Sequence, residues 1–182
     1  MAKFTQVDDR SRLWQVTDLL PREQADEIVS TDWSVMTTDL SSGQESWPRR
    51  QVNWDDATAQ RYSGYINHCL PEINAALGTE FKSMGGHFWI DVPGFDVAMH
   101  TDGHVPNSMQ LYWTVPSEAY GTGFYHYKNP ESLLYQFLSR PNSGYIMLNH
   151  LAEDGSQPLL WHAMFNTVPP GTIRVSSYWR FA

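Results

Sequence analysis

The chain has little of three things: cysteine, basic residues and long apolar runs. Its 182 residues include one cysteine, Cys69, which excludes an internal disulfide framework and is typical of a reducing compartment. No stretch approaches the roughly 20 consecutive apolar residues of a membrane span, and the first residues lack an apolar signal core. We therefore expect a water-soluble, cytoplasmic protein with no membrane partner.

The shortage of basic residues bears on the choice of partner. Twelve Lys and Arg stand against 20 Asp and Glu, which gives a formal net charge of −8. Binding to nucleic acid needs a clustered surplus of basic residues, so DNA and RNA are disfavoured as substrates. The only adjacent basic pair is Arg49-Arg50. We interpret it as an exposed loop before a strand, with contact to a substrate or another anion as the alternative.

Length and composition fit one globular domain over residues 1–182, because 41% of the residues are apolar and 14% are aromatic. The pattern predicts a helical N-terminal part over about residues 1–80. One helix is expected over residues 21–30, and another follows the cap Asp55-Asp56. Pro71 should end or restart the second helix, and Gly78 should close its continuation. Residues 31–53 are expected to form a loop or an edge strand.

From about residue 81 to residue 182 the pattern changes to short β-rich runs separated by turn residues. This spacing favours a mainly β fold and argues against βαβ units. We expect a double-stranded β-helix of the jelly-roll or cupin-like kind, with the N-terminal helices packed on one sheet. The predicted strands lie in residues 88–90, 97–100, 109–115, 123–127, 145–148, 159–165 and 172–179.

The chemistry of the chain is concentrated in His100-Thr101-Asp102, followed by His162, Arg174 and Ser176. The triplet alone is weak evidence, since composition gives about 0.46 His-x-Asp triplets by chance. The triplet together with the later His162, Arg174 and Ser176, in this order, is stronger evidence for a metal and cosubstrate site. Two imidazoles and one carboxylate can occupy one face of an octahedral Fe(II), leaving positions for a bidentate cosubstrate and dioxygen. The guanidinium fork of Arg174 suits the far carboxylate of a dicarboxylic keto acid.

Residues 84–181 resemble the Fe(II)- and 2-oxoglutarate-dependent dioxygenases, most closely the prolyl-4-hydroxylase-like branch. Residues 108–113 (SMQLYW) are similar to a strand of that branch that bears a cosubstrate-binding tyrosine, which corresponds to Tyr112. Residues 121–124 resemble its Gly-rich turn, and residues 161–163 with 171–180 resemble its closing pair of strands. The separation of twelve residues between His162 and Arg174 is slightly longer than is usual in the family.

The resemblance implies an Fe(II)- and 2-oxoglutarate-dependent hydroxylase that uses O2 and releases succinate and CO2. His100, Asp102 and His162 would bind the iron. Arg174 would bind 2-oxoglutarate, helped by the hydroxyls of Tyr112 and Ser176. Asp102 is present where halogenating relatives lack the carboxylate, so hydroxylation or another two-electron oxidation is expected. The substrate would be a peptide side chain, an amino acid or another small molecule; the oligomeric state stays open.

Each of these residues also has a structural interpretation. Asp102 could cap the turn at Gly103, and Arg174 could pair with a surface carboxylate. The principal alternative function is a cupin-like metal-dependent enzyme or metal-binding module that does not use 2-oxoglutarate. A noncatalytic sensor or scaffold with the same fold is a third.

Several other residues have open roles. Four aromatic residues could line a substrate pocket or belong to the core: His87, Trp89, Trp113 and Tyr125. His104 could line an entrance or simply occupy a turn, and Arg180 is expected in solvent. The stretch with Trp33, Trp47 and Trp54 could form a lid or the packed shoulder of a sheet.

Overall fold

The computed structural model describes residues 2–8, 13–36, 38–39, 48–102, 107–116, 120–148 and 160–182. Within these residues, β-strands form most of the regular structure, and three α-helices lie in the N-terminal half. The strands are β1 (Lys3–Asp8), β2 (Leu13–Thr17), β3 (Thr38–Asp39), β4 (Arg49–Val52), β5 (Met84–Asp91), β6 (Asn107–Thr114), β7 (Gly121–Tyr125), β8 (Leu133–Leu138), β9 (Ser143–Leu148), β10 (Trp161–Met164) and β11 (Arg174–Phe181).

The strands form two antiparallel sheets. The larger sheet has the order β1-β2-β9-β6-β11-β5-β4-β3, and the smaller has the order β10-β7-β8. Strand β11 lies inside the larger sheet and pairs with β5 on one side and β6 on the other. Because side chains alternate along each strand, the larger sheet presents two faces of different character.

One face of the larger sheet packs against the helices. Phe88, Val175 and Trp179 point to this side and join a buried apolar cluster with Ile28 and Ile66 from the helices. The opposite face packs partly against the smaller sheet. That second cluster combines side chains from both sheets, and its buried members are Leu13, Tyr112, Phe124, Phe137, Tyr145, Met147 and Leu160.

The helices begin and end where local sequence signals predict. Helix α1 (Arg22–Ser30) follows Pro21. Helix α2 (Ala57–Asn67) begins after Asp56, whose carboxylate accepts hydrogen bonds from the backbone N–H groups of Thr58 and Ala59. Helix α3 (Leu70–Leu77) has Pro71 in its first turn and ends at Gly78, where φ is 66° and favours glycine. The predicted restart at Pro71 and closure at Gly78 are confirmed.

The N-terminal part is mixed in structure, so the expectation of a helical segment was incomplete. Strands β1 and β2 precede the helices, and β2 pairs with β9, which is far away in the sequence. Strands β3 and β4 form the edge predicted within residues 31–53. Strand β8 was not predicted, and the strand expected over residues 97–100 is reduced to a single bridge at His100. Of the helices described, none is both long and apolar enough to cross a bilayer.

Candidate active site

A cavity of about 560 Å³ lies against the inner face of the larger sheet and takes its walls from both sheets. This volume falls in the range of small-molecule sites in proteins. Side chains on β4, β5, β6, β9 and β11 line one side, and β7 and β10 line the other. The lining residues are Arg49, His87, Trp89, Val97, His100, Asp102, Gln110, Thr122, Tyr145, His162, Ala163, Met164, Arg174, Tyr178 and Arg180.

The structure brings His100, Asp102 and His162 together at this cavity. His100 follows β5 and exchanges two backbone hydrogen bonds with His162 on β10, with N···O distances of 3.0 and 2.8 Å. This bridge holds the imidazole centroids 4.1 Å apart. Asp102 Oδ1 lies 3.6 Å from His100 Nε2, and Asp102 Oδ2 lies 3.7 Å from His162 Nε2. All three donor atoms lie within 4.8 Å of one another.

The surroundings of both imidazoles suit metal binding. His100 Nδ1 lies 2.8 Å from the carbonyl oxygen of Ala98. A carbonyl only accepts, so Nδ1 donates this hydrogen bond and Nε2 is the ring nitrogen directed towards Asp102. Burial lowers the pKa of His162 to about 4, so its ring is neutral near pH 7. The ring stacks on Phe124, with centroids 5.5 Å apart. Two imidazoles and one carboxylate are a donor set that fits Fe(II).

Arg174 belongs to an ion-pair network that runs across three strands. Asp91 on β5 lies opposite both Arg174 on β11 and Arg49 on β4. Arg174 donates from Nε and Nη2 to Asp91 Oδ2, at 2.7 and 2.6 Å. Arg49 donates from Nε to Asp91 Oδ1 at 2.5 Å. One fully buried carboxylate therefore accepts hydrogen bonds from two guanidinium groups. Two cations and one anion give the network a net charge of +1.

That network leaves one donor of Arg174 free. Nη1 of Arg174 is buried and has no hydrogen-bond partner among the described residues, although the residue lines the cavity. Two positions along β11, Ser176 is fully buried and its Oγ likewise has no partner among the described residues, but Ser176 lies behind the residues that line the cavity. Unpaired buried donors are costly, so an anion with carboxylate oxygens would satisfy this end of the cavity.

Tyr112 has a different position from the one expected. It is fully buried, and its hydroxyl lies 2.6 Å from Thr122 Oγ1 in a hydrogen bond. Thr122 lines the cavity, whereas Tyr112 lies behind it, with its ring centroid 5.8 Å from the Arg174 guanidinium. Burial raises the pKa of the Tyr112 hydroxyl, which stays neutral. Tyr112 therefore contacts the cavity through Thr122 and through Arg174.

Sequence reasoning missed two residues next to Tyr112. Gln110 lies on the same face of β6 as Tyr112, and Tyr145 lies opposite Gln110 on β9. Both Gln110 and Tyr145 line the cavity. The Tyr145 hydroxyl donates to Gln110 Oε1 at 2.9 Å. Burial raises the pKa of Tyr145 well above its usual value, and the charge of nearby Asp102 adds to the effect. The alternation that selected Tyr112 also marks Gln110, but Tyr145 requires knowledge of the strand register.

The interpretation of Arg49 as part of an exposed loop was wrong. Its side chain is 14% exposed, lies on β4 and lines the cavity. The physical reason is the pairing of β4 with β5, which places Arg49 beside the buried Asp91. Arg180 is solvent-exposed as expected, yet it also lines the cavity.

Of the four aromatic residues proposed to line a substrate pocket, two line the cavity and two do not. His87 and Trp89 line the cavity. Trp113 belongs to the core, where its indole N–H donates to Ser177 Oγ at 2.9 Å, and Tyr125 is buried outside the cavity lining.

The tryptophans of the stretch that could form a lid differ in burial. Trp33 is a buried core residue on the helical side of the sheet, as a packed shoulder requires, whereas Trp54 is 62% exposed. Trp47 and His104 lie outside the described residues, and so does Gly103, the turn that Asp102 could cap.

No known family sequence model matches this chain, and no curated protein sequence does either. Solved structures do match. A prolyl-4-hydroxylase from Pseudomonas putida is 16% identical with a TM-score of 0.59, over 97% of this chain and 96% of that one. A viral collagen prolyl hydroxylase from Paramecium Bursaria Chlorella virus-1, in complex with 2-oxoglutarate, is 11% identical with a TM-score of 0.57, over 93% and 94%.

A third similar structure is HygX from Streptomyces hygroscopicus with nickel, 2-oxoglutarate and hygromycin B bound. It is 9% identical with a TM-score of 0.60, over 94% of this chain and 84% of that one. At identities this low, the TM-scores and the wide coverage show a common fold and nothing more. The predicted fold class is confirmed: the chain has the double-stranded β-helix fold of the 2-oxoglutarate-dependent oxygenases.

Proposed function

We propose that this protein is an Fe(II)- and 2-oxoglutarate-dependent oxygenase that hydroxylates a peptide side chain, an amino acid or another small molecule. The observation that carries the proposal is the combination of two features in one cavity. A His-Asp-His donor set shares the cavity with a buried guanidinium whose Nη1 has no hydrogen-bond partner among the described residues. A cupin-like site that uses only a metal has no need for the second feature.

Each residue has a defined part in this reaction. His100, Asp102 and His162 would hold the iron, which would supply activation of O2 and oxidation of the substrate while 2-oxoglutarate is converted to succinate and CO2. Arg174 Nη1 would donate to the distal carboxylate of 2-oxoglutarate, and Ser176 Oγ would add a second donor. Asp91 and Arg49 orient the Arg174 guanidinium. Tyr112 supports the same end of the cavity through Thr122.

The electrostatics of the cavity favour this cosubstrate. The distal carboxylate would meet the net positive charge that Arg49, Asp91 and Arg174 keep. The proximal keto acid would meet the metal. The enclosing walls would exclude water from the reaction, which limits oxidation of the site itself. The similar structures add support, because two of them contain 2-oxoglutarate and one of these also contains nickel.

The proposal is tested by titrating anaerobic protein with Fe(II) and then with 2-oxoglutarate, while recording the weak visible metal-to-ligand charge-transfer band. The parent protein should develop the band. Arg174→Ala should bind Fe(II) but require at least tenfold more 2-oxoglutarate, because a charge-assisted bond to a buried cation contributes about 1.5–3 kcal/mol. Arg22→Ala is the control, since that side chain is 94% exposed on α1.

Two outcomes separate the candidate functions. A band that Arg174→Ala weakens and Arg22→Ala leaves intact supports the oxygenase. Bound Fe(II) without any band on addition of 2-oxoglutarate favours the cupin-like alternative. Succinate formation measured with the parent protein in air then distinguishes an active enzyme from a scaffold.

A further inference from the structure

We propose that the primary substrate is a small carboxylic acid, and that Arg180 binds its carboxylate at the end of the cavity opposite Arg174. This inference rests on the proposed function, because it assigns Arg174 to the keto acid and leaves Arg180 for the molecule that is oxidised.

The order of residues along β11 gives the cavity two cationic ends. Arg174, Ser176, Tyr178 and Arg180 alternate onto one face of the strand. Six residues of extended chain place the first and last Cα atoms about 20 Å apart. Tyr178 lies between them on the strand and lines the same cavity. His100, Asp102 and His162 line that cavity too, so the metal donors and both arginines face one space.

Arg180 differs from the other cavity arginines in its lack of a carboxylate partner. Arg49 and Arg174 share Asp91, whereas Arg180 forms no ion pair with any described residue. Among the described residues, the only carboxylate that lines the cavity is Asp102, which belongs to the donor set for the metal. An unpaired cation in the wall of a chain with net charge −8 is suited to an anionic ligand.

Aromatic side chains of β5 and β11 line the cavity wall that leads from Arg174 to Arg180. The Arg180 guanidinium lies 5.8 Å from the Tyr178 ring centroid. His87 and Trp89 meet edge to face, with centroids 4.5 Å apart. His87 Nε2 is buried and has no hydrogen-bond partner among the described residues. These surfaces accept an apolar or aromatic body, and the imidazole can form one hydrogen bond to a neutral polar group.

The size of the cavity favours a small molecule. Its volume of about 560 Å³ must hold 2-oxoglutarate as well as the substrate. A compact acid with one aromatic or branched apolar group fits the remaining space. An acidic peptide would leave most of its length outside, so it forms a separate arm of the test.

The experiment compares carboxylic acids with their primary amides, which have nearly the same shape but no charge. Zn(II)-loaded protein with saturating 2-oxoglutarate is titrated with phenylacetate, 3-phenylpropanoate and the matching amides, and binding is followed by ligand-observed NMR. An acetylated, amidated tripeptide with a central Glu is the peptide arm. The variants are Arg180→Gln, Arg180→Lys and the control Arg22→Gln.

We expect an acid to bind at least tenfold more tightly than its amide. Arg180→Gln should remove that preference, Arg180→Lys should keep part of it, and Arg22→Gln should match the parent. A purely structural role for Arg180 would weaken acids and amides alike. Saturating 2-oxoglutarate prevents binding of the test acids at Arg174 from being counted.

Three results would overturn the inference. One is equal binding of acids and amides, another is an acid preference that survives in Arg180→Gln, and the third is binding by the tripeptide alone. If 2-oxoglutarate itself fails to bind the metal-loaded parent, the proposed function fails as well. If 2-oxoglutarate binds and no test acid does, only the assignment of the substrate class fails.

Discussion

At the scale of single residues, Asp91 determines the hydrogen bonding and charge balance of Arg49 and Arg174. It is fully buried, and two guanidinium groups donate to its two oxygens. Without it, Arg49 and Arg174 would be two like charges with no carboxylate between them. Such pairs contribute little net stability compared with apolar packing, but removing one partner leaves a buried charge uncompensated.

Asp91→Asn should therefore lower the free energy of unfolding by about 3–5 kcal/mol, because the neutral amide cannot balance the buried charge of Arg174 and the partly buried charge of Arg49. Urea denaturation at pH 7 measures this loss. The matched control is Asp26→Asn, which breaks the exposed pair between Arg22 and Asp26 and should cost less than about 1 kcal/mol. Equal losses in the two variants would mean that water screens Asp91 as effectively as it screens Asp26.

His87 should make stability depend on pH. Burial, and then the charges of Arg49 and Arg180, lower its pKa from 6.5 to about 4 in the folded protein. Between these values the unfolded chain binds a proton that the folded chain does not. Stability is thus complete above pH 6.5 and is lost as the pH falls towards 4, by up to about 1.4 kcal/mol per pH unit from this group.

The measurement is the free energy of unfolding of metal-free protein between pH 7 and pH 4.5, for the parent and for His87→Gln. The parent should lose stability more steeply, and the difference in slope belongs to His87. His162 contributes in the same direction in both proteins, since its pKa is lowered too. Identical slopes in the two proteins would show that folding does not lower the pKa of His87.

At the scale of strands and helices, local signals and distant pairing differ in how much the sequence reveals. Pro71 and Gly78 act within their own helix, so the restart and end of α3 could be predicted. Strands β1 and β2 depend on β9, because Leu13 pairs with Met147 across most of the chain. The local sequence of residues 3–17 therefore does not predict the pairing with β9.

The same distinction applies to the site. The types and order of His100, Asp102, His162 and Arg174 indicate their chemistry without knowledge of the fold, and the structure brings all four to one cavity. The role of Arg49 depends on Asp91, which lies 42 residues later and meets it only through the register of β4 and β5. A basic pair in an unassigned segment gives no sign of this contact.

The close approach of β6 and β9 should depend on Gly144. A Cβ added to Gly144 would overlap the backbone carbonyl oxygen of Gln110 on the neighbouring strand. Gly144→Ala should therefore force the strands apart and cost about 1–3 kcal/mol of stability. It should also weaken 2-oxoglutarate binding, because Gln110 and Tyr145 line the cavity.

Thermal unfolding and the charge-transfer titration measure the two effects of Gly144→Ala. Gly85→Ala is the control, since that glycine lies on β5 in the same sheet and an added Cβ meets nothing within 4 Å. Loss of stability without any change in 2-oxoglutarate binding would show that the β6–β9 spacing does not position the cavity wall.

At the scale of the whole molecule, the donor set joins the two sheets. His162 lies on the smaller sheet, whereas His100 and Asp102 lie in the connection that follows β5 of the larger sheet. The sheets also meet through the apolar cluster that includes Phe124 and Tyr145 and through the hydrogen bond between Tyr112 and Thr122. A bound metal would add a further connection between them.

Fe(II) should therefore stabilise the folded protein as a unit. A ligand at one hundred times its dissociation constant adds about 2.7 kcal/mol, which for a chain of this size corresponds to a rise in Tm of about 5–10 °C. Anaerobic thermal unfolding with and without Fe(II) measures the shift, and EDTA should reverse it. Asp102→Ala should abolish the shift, whereas Asp96→Ala, an exposed carboxylate in the same connection, should keep it. An equal shift in Asp102→Ala would mean that Fe(II) binds elsewhere on this acidic chain, and the assignment of the three donors would then be wrong.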